Sequence, residues 1–173
     1  MSKTKGNVVA CMVTLILGAV AFAAPRADGS EVSGTGSGHV DLGGEQHFVT
    51  FNVSAHTGPG GDYGSCRLTF EGSIPPVDVH VNVDCLNAFP QAPGAGAWVA
   101  GVVKKVTPTP NSFQINPGDR MYFFVTDYGN PGSMPADQIG VFFSPPIFID
   151  CETQGAAGGA PIETGNINIS LGN

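Results

Sequence analysis

Between residues 77 and 85 apolar and polar residues alternate strictly: Val77, Val79, Val81, Val83 and Cys85 interleave with Asp78, His80, Asn82 and Asp84. Successive side chains of a strand point to opposite faces of its sheet, so this pattern predicts a half-buried β-strand. The β-branched valines favour the same conformation. Similar sets recur along the chain. Val49, Phe51 and Val53 share one face, as do Cys66, Leu68 and Phe70. Residues 97–106 form a longer apolar stretch, and Met121, Phe123 and Val125 alternate with Tyr122, Phe124 and Thr126. Further strands are predicted at Ile139, Val141 and Phe143, at Ile147 and Ile149 in phase with Cys151, and over residues 167–171.

Helical periodicity is absent, and turn chemistry separates the strands. Gly58-Pro59-Gly60-Gly61, Pro75-Pro76, Pro93-Gly94, Pro117-Gly118, Pro131-Gly132 and Pro145-Pro146 are breaks, and residues 155–161 read as a surface loop. Many short strands at this spacing predict an all-β fold. The expectation is an antiparallel β-sandwich of about 7–9 short strands, with a β-barrel as the alternative.

The N-terminus reads differently. Lys3 and Lys5 precede an apolar run from Val8 to Ala23 that ends in Ala21-Phe22-Ala23. A positive start, an apolar centre and small residues at the end are the anatomy of a secretory signal peptide, here residues 1–23. The run is shorter than the roughly 20 residues a bilayer span needs. Only Val8, Val9 and Ala10 precede Cys11, too short a stretch for a lipoprotein signal. Residues 24–37 are rich in Gly, Ser and Ala without periodicity and read as a flexible leader, which leaves 38–173 as a single β domain. The expected location is extracellular, or periplasmic in a cell with an outer membrane.

Loss of residues 1–23 removes two lysines and leaves five basic against fourteen acidic residues, a net charge of −9. That balance argues against nucleic acid and against a membrane surface as partner, and no membrane insertion is expected after cleavage. Three cysteines remain, Cys66, Cys85 and Cys151. In an oxidising compartment this predicts one disulfide and one thiol. A short hairpin through residues 73–76 puts Cys66 opposite Val81, so that Cys85 lies four residues further along, beyond disulfide reach. The predicted bridge is therefore Cys85–Cys151, with Cys66 a buried thiol. Parity places each cysteine on the apolar face of its strand.

Candidate chemistry is sparse. The histidines are His39, His47, His56 and His80, and no serine sits in a G-x-S-x-G elbow. His80, between Asp78 and Asn82 on a polar face, reads as a surface histidine rather than a base, and the scattered acids do not single out a glycosidase pair. His39-x-Asp41 and Glu45-x-His47 flank a Gly43-Gly44 turn and are the best transition-metal candidates. Asp127, Asn130 and Asp137 bring oxygen ligands into one Gly/Pro-rich loop and are the calcium candidates. The same residues suit an Asx turn, the favoured reading, so no cofactor is expected. Trp98 shares parity with Ala100 and Val102, which predicts core packing, whereas Tyr63 and Tyr128 are placed in loops as weak candidates for sugar stacking.

An ordered set of short motifs carries a resemblance. It comprises Phe48-x-x-Phe51-Asn52-Val53, Val83-Asp84-Cys85-Leu86, Ala97 with Gly101-Val102-Val103, Phe124-Val125-x-Asp127-x-Gly129-Asn130-Pro131-Gly132 with Pro135-x-Asp137, Cys151, and Gly165-Asn166-Ile167. Over residues 36–171 the chain resembles a group of secreted bacterial β-domains, common in actinobacteria and sometimes labelled post-COAP domains. It departs from that group at Asn130, where a glutamate is usual, and at Cys66. The resemblance implies export and a β-rich fold, and no established activity. Together these readings describe an exported, non-enzymatic binding or structural module with an extracellular protein or glycan as partner. The alternatives are a secreted hydrolase or metal-dependent enzyme, or a calcium-stabilised sugar-binding module.

Overall fold

The computed structural model describes residues 29–42, 45–129, 135–143, 151–152 and 157–172. The expected signal segment, the strand around Ile147 and Ile149, and Asn130 lie outside them. The described residues are all-β without a helix. Nine strands run in chain order: β1 (Glu31–Leu42), β2 (Glu45–Gly58), β3 (Gly61–Phe70), β4 (Val77–Pro90), β5 (Ala95–Thr107), β6 (Arg120–Asp127), β7 (Gln138–Phe143), β8 (Ala160–Pro161) and β9 (Thr164–Ser170). They form one antiparallel sheet in the order β8-β7-β6-β5-β4-β3-β2-β1-β9.

The two ends of that order are consecutive in sequence. β8 pairs with β7, Ile162 N donates to Asp137 O at 2.9 Å, Glu163 N donates to Ser37 O at 2.8 Å, and β9 then pairs with β1. One segment thus leaves one end of the sheet and joins the other, so the sheet doubles back around a single interior. The antiparallel all-β expectation holds, with one continuous sheet enclosing the core and β2 and β4 reaching 14 residues each.

The interior follows the alternation in the sequence. Val49, Phe51, Val53, Leu68, Phe70, Val79, Val81, Val99, Phe123, Val125 and Ile167 are buried together. One end is plugged by the loop between β5 and β6, which inserts Ile115 into the core and packs Phe113 on Phe70. Asn111 shapes that loop: its Oδ1 accepts from Phe113 N and Ile115 N, and its Nδ2 donates to Ile115 O.

Two expectations are corrected here. The flexible leader assigned to 24–37 overlaps β1, which begins at Glu31 and pairs with β2 on one side and β9 on the other. Its inward positions between Val32 and Val40 are Gly34, Gly36 and Gly38, which carry no apolar side chain to register as periodicity. They are glycine because β9 and its lead-in pass too close: a Cβ on Gly36 would sit 2.5 Å from Thr164 O and 2.8 Å from the Phe51 ring. The loop read over 155–161 ends in β8, whose two residues complete the link from β7 to β9.

The cysteines are paired as expected. Cys66 lies opposite Val81 and is free and buried, and Cys85 is bridged to Cys151. The face of Cys85 differs from the parity reading. Asp84 is an extra residue in β4, so Val83 pairs with Gly101 but Cys85 pairs with Ala100. A bulge of this kind reverses which face the following residues take. Leu86 therefore points inward, while Cys85 joins a second cluster on the outside of the sheet with Trp98, Ala100, Tyr122, Phe124 and Cys151. The first half of β5 and most of β6 are consequently covered on both faces.

Burial pushes the Cys66 thiol up to about 12, so it stays protonated and unreactive in the native protein. Cys66 is expected to alkylate at pH 8 only in denaturant, and an unreduced peptide digest is expected to yield a Cys85–Cys151 peptide. Replacing Cys85 and Cys151 together by serine is expected to cost about 2–4 kcal/mol in urea unfolding.

Candidate functional site

The Gly/Pro-rich loop after β6 was the foremost ligand candidate, and its two described acids are both committed to backbone. Asp127 Oδ1 accepts from Gly129 N at 2.7 Å, the Asx turn, and Asp127 Oδ2 accepts from Ile169 N at 2.9 Å. Asp137 is buried; its Oδ1 accepts from Tyr128 N at 2.9 Å and its Oδ2 from Ile167 N at 2.8 Å. Two residues thus shape the loop with one oxygen each and hold β9 with the other. Gly129, at φ +108°, supplies the left-handed backbone that the turn demands. Asn130 lies outside the described residues.

The proposed transition-metal quartet is divided by register. Val40 pairs with His47 and His39 with Phe48. Directly opposed residues share a face, so His47 and Glu45 follow Val40 and Leu42 toward the interior end, while His39 and Asp41 point outward. His47 packs edge-on against Phe113, and His39 Nδ1 lies 2.6 Å from Glu163 Oε1. The four groups do not converge. Among the described residues no cluster of three or more His, Cys, Asp or Glu is placed to hold a metal.

What the fold does present is a broad outer face over β9, β1, β2, β3, β4 and the second half of β5. Cross-strand register lines its side chains into rows. One row is Asn168, Ser33, Ser54, Ser65, Asn82 and Val102. The next is Asn166, Thr35, Asn52, Arg67, His80 and Lys105. Neighbouring strands are about 4.8 Å apart, so each row runs roughly 24 Å round the wall. Comparison with protein-family models, with curated proteins and with solved structures finds no match to this chain.

Tyr63, expected in a loop, lies in β3 at one margin of the rows, 58% exposed and stacked on His56 at 5.3 Å. Tyr128 is half-buried behind Asp137. Trp98 is buried in the outer cluster, as core packing predicted. Arg67 grips Asp78 through two bonds of 2.8 and 2.9 Å, and His80 Nε2 lies 3.1 Å from the same carboxylate. Arg120 forms a second two-bond pair with Asp84, at 2.9 and 2.7 Å, and lies over the Tyr122 ring. An Asp–His pair is part of a nucleophile-activating array, but Asp78 is shared with Arg67 and no described hydroxyl hydrogen-bonds His80.

Sequence reasoning passed over these rows because each residue in them is an ordinary polar member of an alternating strand. Only register brings residues from six strands together. One signal was available: with two residues in the turn at 43–44, counting back from Leu42 and Glu45 places His39 and His47 on opposite faces.

Two outcomes follow. Asp137→Ala strips acceptors from Tyr128 N and the buried Ile167 N, and is expected to cost about 2–4 kcal/mol in chemical unfolding, more than Asp127→Ala at about 1–2 kcal/mol. Both losses are expected to be the same in chelator and in millimolar calcium; a calcium-dependent rise in melting temperature that vanishes in Asp127→Ala would overturn the structural role. The Arg67 hydrogen bond, and secondarily that from His80, holds the Asp78 carboxyl below its ordinary 3.8. A carboxyl depressed in the fold stabilises above its ordinary value and loses that contribution as pH falls through its folded value. Arg67→Ala is therefore expected to destabilise at pH 7, with the difference from wild type shrinking below pH 3.8. Unfolding curves across that range measure it.

Proposed function

We propose that the protein is an exported, non-enzymatic binding module that recognises an extracellular glycan through the outer face of β9 and β1–β4. The observation that carries this reading is the ordered array of hydroxyl and amide side chains, Ser33, Thr35, Asn52, Ser54, Ser65 and Asn82, with the exposed ring of Tyr63 at its margin. Hydroxyls and amides both donate and accept, which matches the alternating donors and acceptors of sugar hydroxyls. Tyrosine adds an apolar ring face and a polar tip.

A protein partner is less well matched. Among the described residues the large exposed apolar side chains, Tyr63, Ile74, Val102 and Leu171, are scattered over separate strands and loops, without the clustered anchors that concentrate binding energy in protein interfaces. The non-enzymatic reading is supported by the pairing of His39 with Glu163, of His56 with Glu31 and of His80 with Asp78, which Arg67 shares. Export is supported by the signal segment in the sequence and by the Cys85–Cys151 bridge, which suits an oxidising compartment.

The test is retention of the purified domain on insoluble cell-surface polysaccharide. Wild type is expected to be retained without releasing soluble sugar, and Tyr63→Ala to bind roughly tenfold more weakly at unchanged melting temperature, as removal of about 1.4 kcal/mol of ring contact implies. Absence of retention would sink the binding role, and steady release of reducing ends would replace it with hydrolysis.

A further inference from the structure

The chain carries twice as many acidic as basic residues, yet its cations are not spread among the anions. All four lysines and arginines among the described residues, Arg67, Lys104, Lys105 and Arg120, lie on the outer face of β3, β5 and the start of β6. His80 stands between Arg67 and Lys105 in one row. Of the described acids only Asp78 and Asp84 share this surface, and each is bound to an arginine. Asp119, next to Arg120, turns its carboxylate into its own loop to accept from Asn116 N. Lys104 and Lys105 have no ion pair among the described residues. The remaining described surface holds acids without a lysine or arginine.

Backbone geometry presents both lysines together. In a regular strand two consecutive residues face opposite sides, so one would enter the core. Here β5 pairs Lys105 with His80 but Val103 with Val81, which leaves Lys104 as the extra residue of a bulge. Lys104 and Lys105 are therefore both exposed while Val103 and Val106 both stay buried. Bulges re-aim side chains in this way at functional surfaces. Along β5 the lysines begin where the disulfide-anchored outer cluster ends: Trp98 and Ala100 are covered, and Val102, Lys104 and Lys105 are open.

We infer that the ligand of this face is an acidic glycan, a hydroxyl-rich chain bearing carboxylates at intervals, with Lys104 and Lys105 meeting its anions and Asn52, Ser65 and Asn82 its hydroxyls. This rests on the glycan-binding reading above and specifies its chemistry. A cationic end and a hydroxyl/amide end occupy the same row, Lys105-His80-Arg67-Asn52-Thr35, which suits a polymer whose charges are separated by neutral sugar. A denser polyanion would bring its flanking charges against the acids that populate the rest of the surface.

The experiment measures binding of the full mature chain to polygalacturonate, alginate and hyaluronan, to their carboxyl-reduced neutral counterparts, and to polyphosphate. The expected result is binding to at least one acidic polymer that falls about tenfold or more between 50 and 300 mM salt, as screening shortens the reach of the lysines. It is expected to be absent on the reduced polymer and on polyphosphate. Lys104→Gln with Lys105→Gln is expected to abolish it with the melting temperature and Tyr63 exposure unchanged. Equal binding to acidic and reduced polymers overturns the charge requirement and leaves the glycan-binding role intact. Equal or tighter binding to polyphosphate overturns the glycan part. Failure to bind any acidic polymer, while the Tyr63-dependent retention on cell-surface material persists, overturns the acidic ligand alone; loss of both removes the binding role as well.

Discussion

Two carboxylates close this sheet. Among the described residues β9 has a strand partner on one side only, β1. Its other edge presents the NH groups of Ile167 and Ile169, and an unpaired NH at a buried position costs free energy comparable to a lost hydrogen bond. Asp137 and Asp127 take those two NH groups in place of a neighbouring strand. Their second oxygens hold Tyr128 N and Gly129 N, so the loop that carries the aspartates is fixed by the same groups that fix β9. Occupied in this way, the edge is also unavailable to the strand of another molecule. Residues that looked like a cation loop in sequence are the clasp of the fold.

The clasp depends on space made elsewhere. β9 and the turn before it run so close to β1 that Gly34, Gly36 and Gly38 leave no room for a Cβ. With those contacts made, the interior is enclosed, and the only question left for the outer surface is which parts are covered. The Cys85–Cys151 bridge answers it for one region by drawing residues 151–152 over Trp98, Tyr122 and Phe124. Asn87 adds a hydrogen bond to Glu152 O. The remainder, from β9 round to the far half of β5, stays open and polar.

That division sets the chemical character of the surface. Where the outer cluster ends, the bulge at Lys104 turns two lysines outward, and Arg67 and Arg120 complete the only cationic region among the described residues. Pairing with Asp78 and Asp84 holds the arginines in fixed positions, while the lysines keep their long, unpaired reach. Beside them lie the hydroxyl and amide rows. The face combines rigid placement with exposed charge.

The sequence by itself determined the strands, because a buried face imposes period-two alternation on any chain that crosses it, and 77–85 shows this without interruption. It also determined the placement of Cys66 opposite Val81, and hence the Cys85–Cys151 pairing, since turn length sets hairpin register. The Asx turn at Asp127 was legible from local chemistry. Three things were decided only in three dimensions. β1 was hidden because its central inward residues, Gly34, Gly36 and Gly38, are glycines that make room for a strand more than a hundred residues away. The faces of Cys85 and of Lys104 were set by bulges; the one at Asp84 leaves the period-two alternation of 77–85 unbroken, so the sequence does not show that Cys85 changes face. The polar rows and the gathering of cations arise from register across six strands, and a linear chain does not display which of its polar residues will stand side by side.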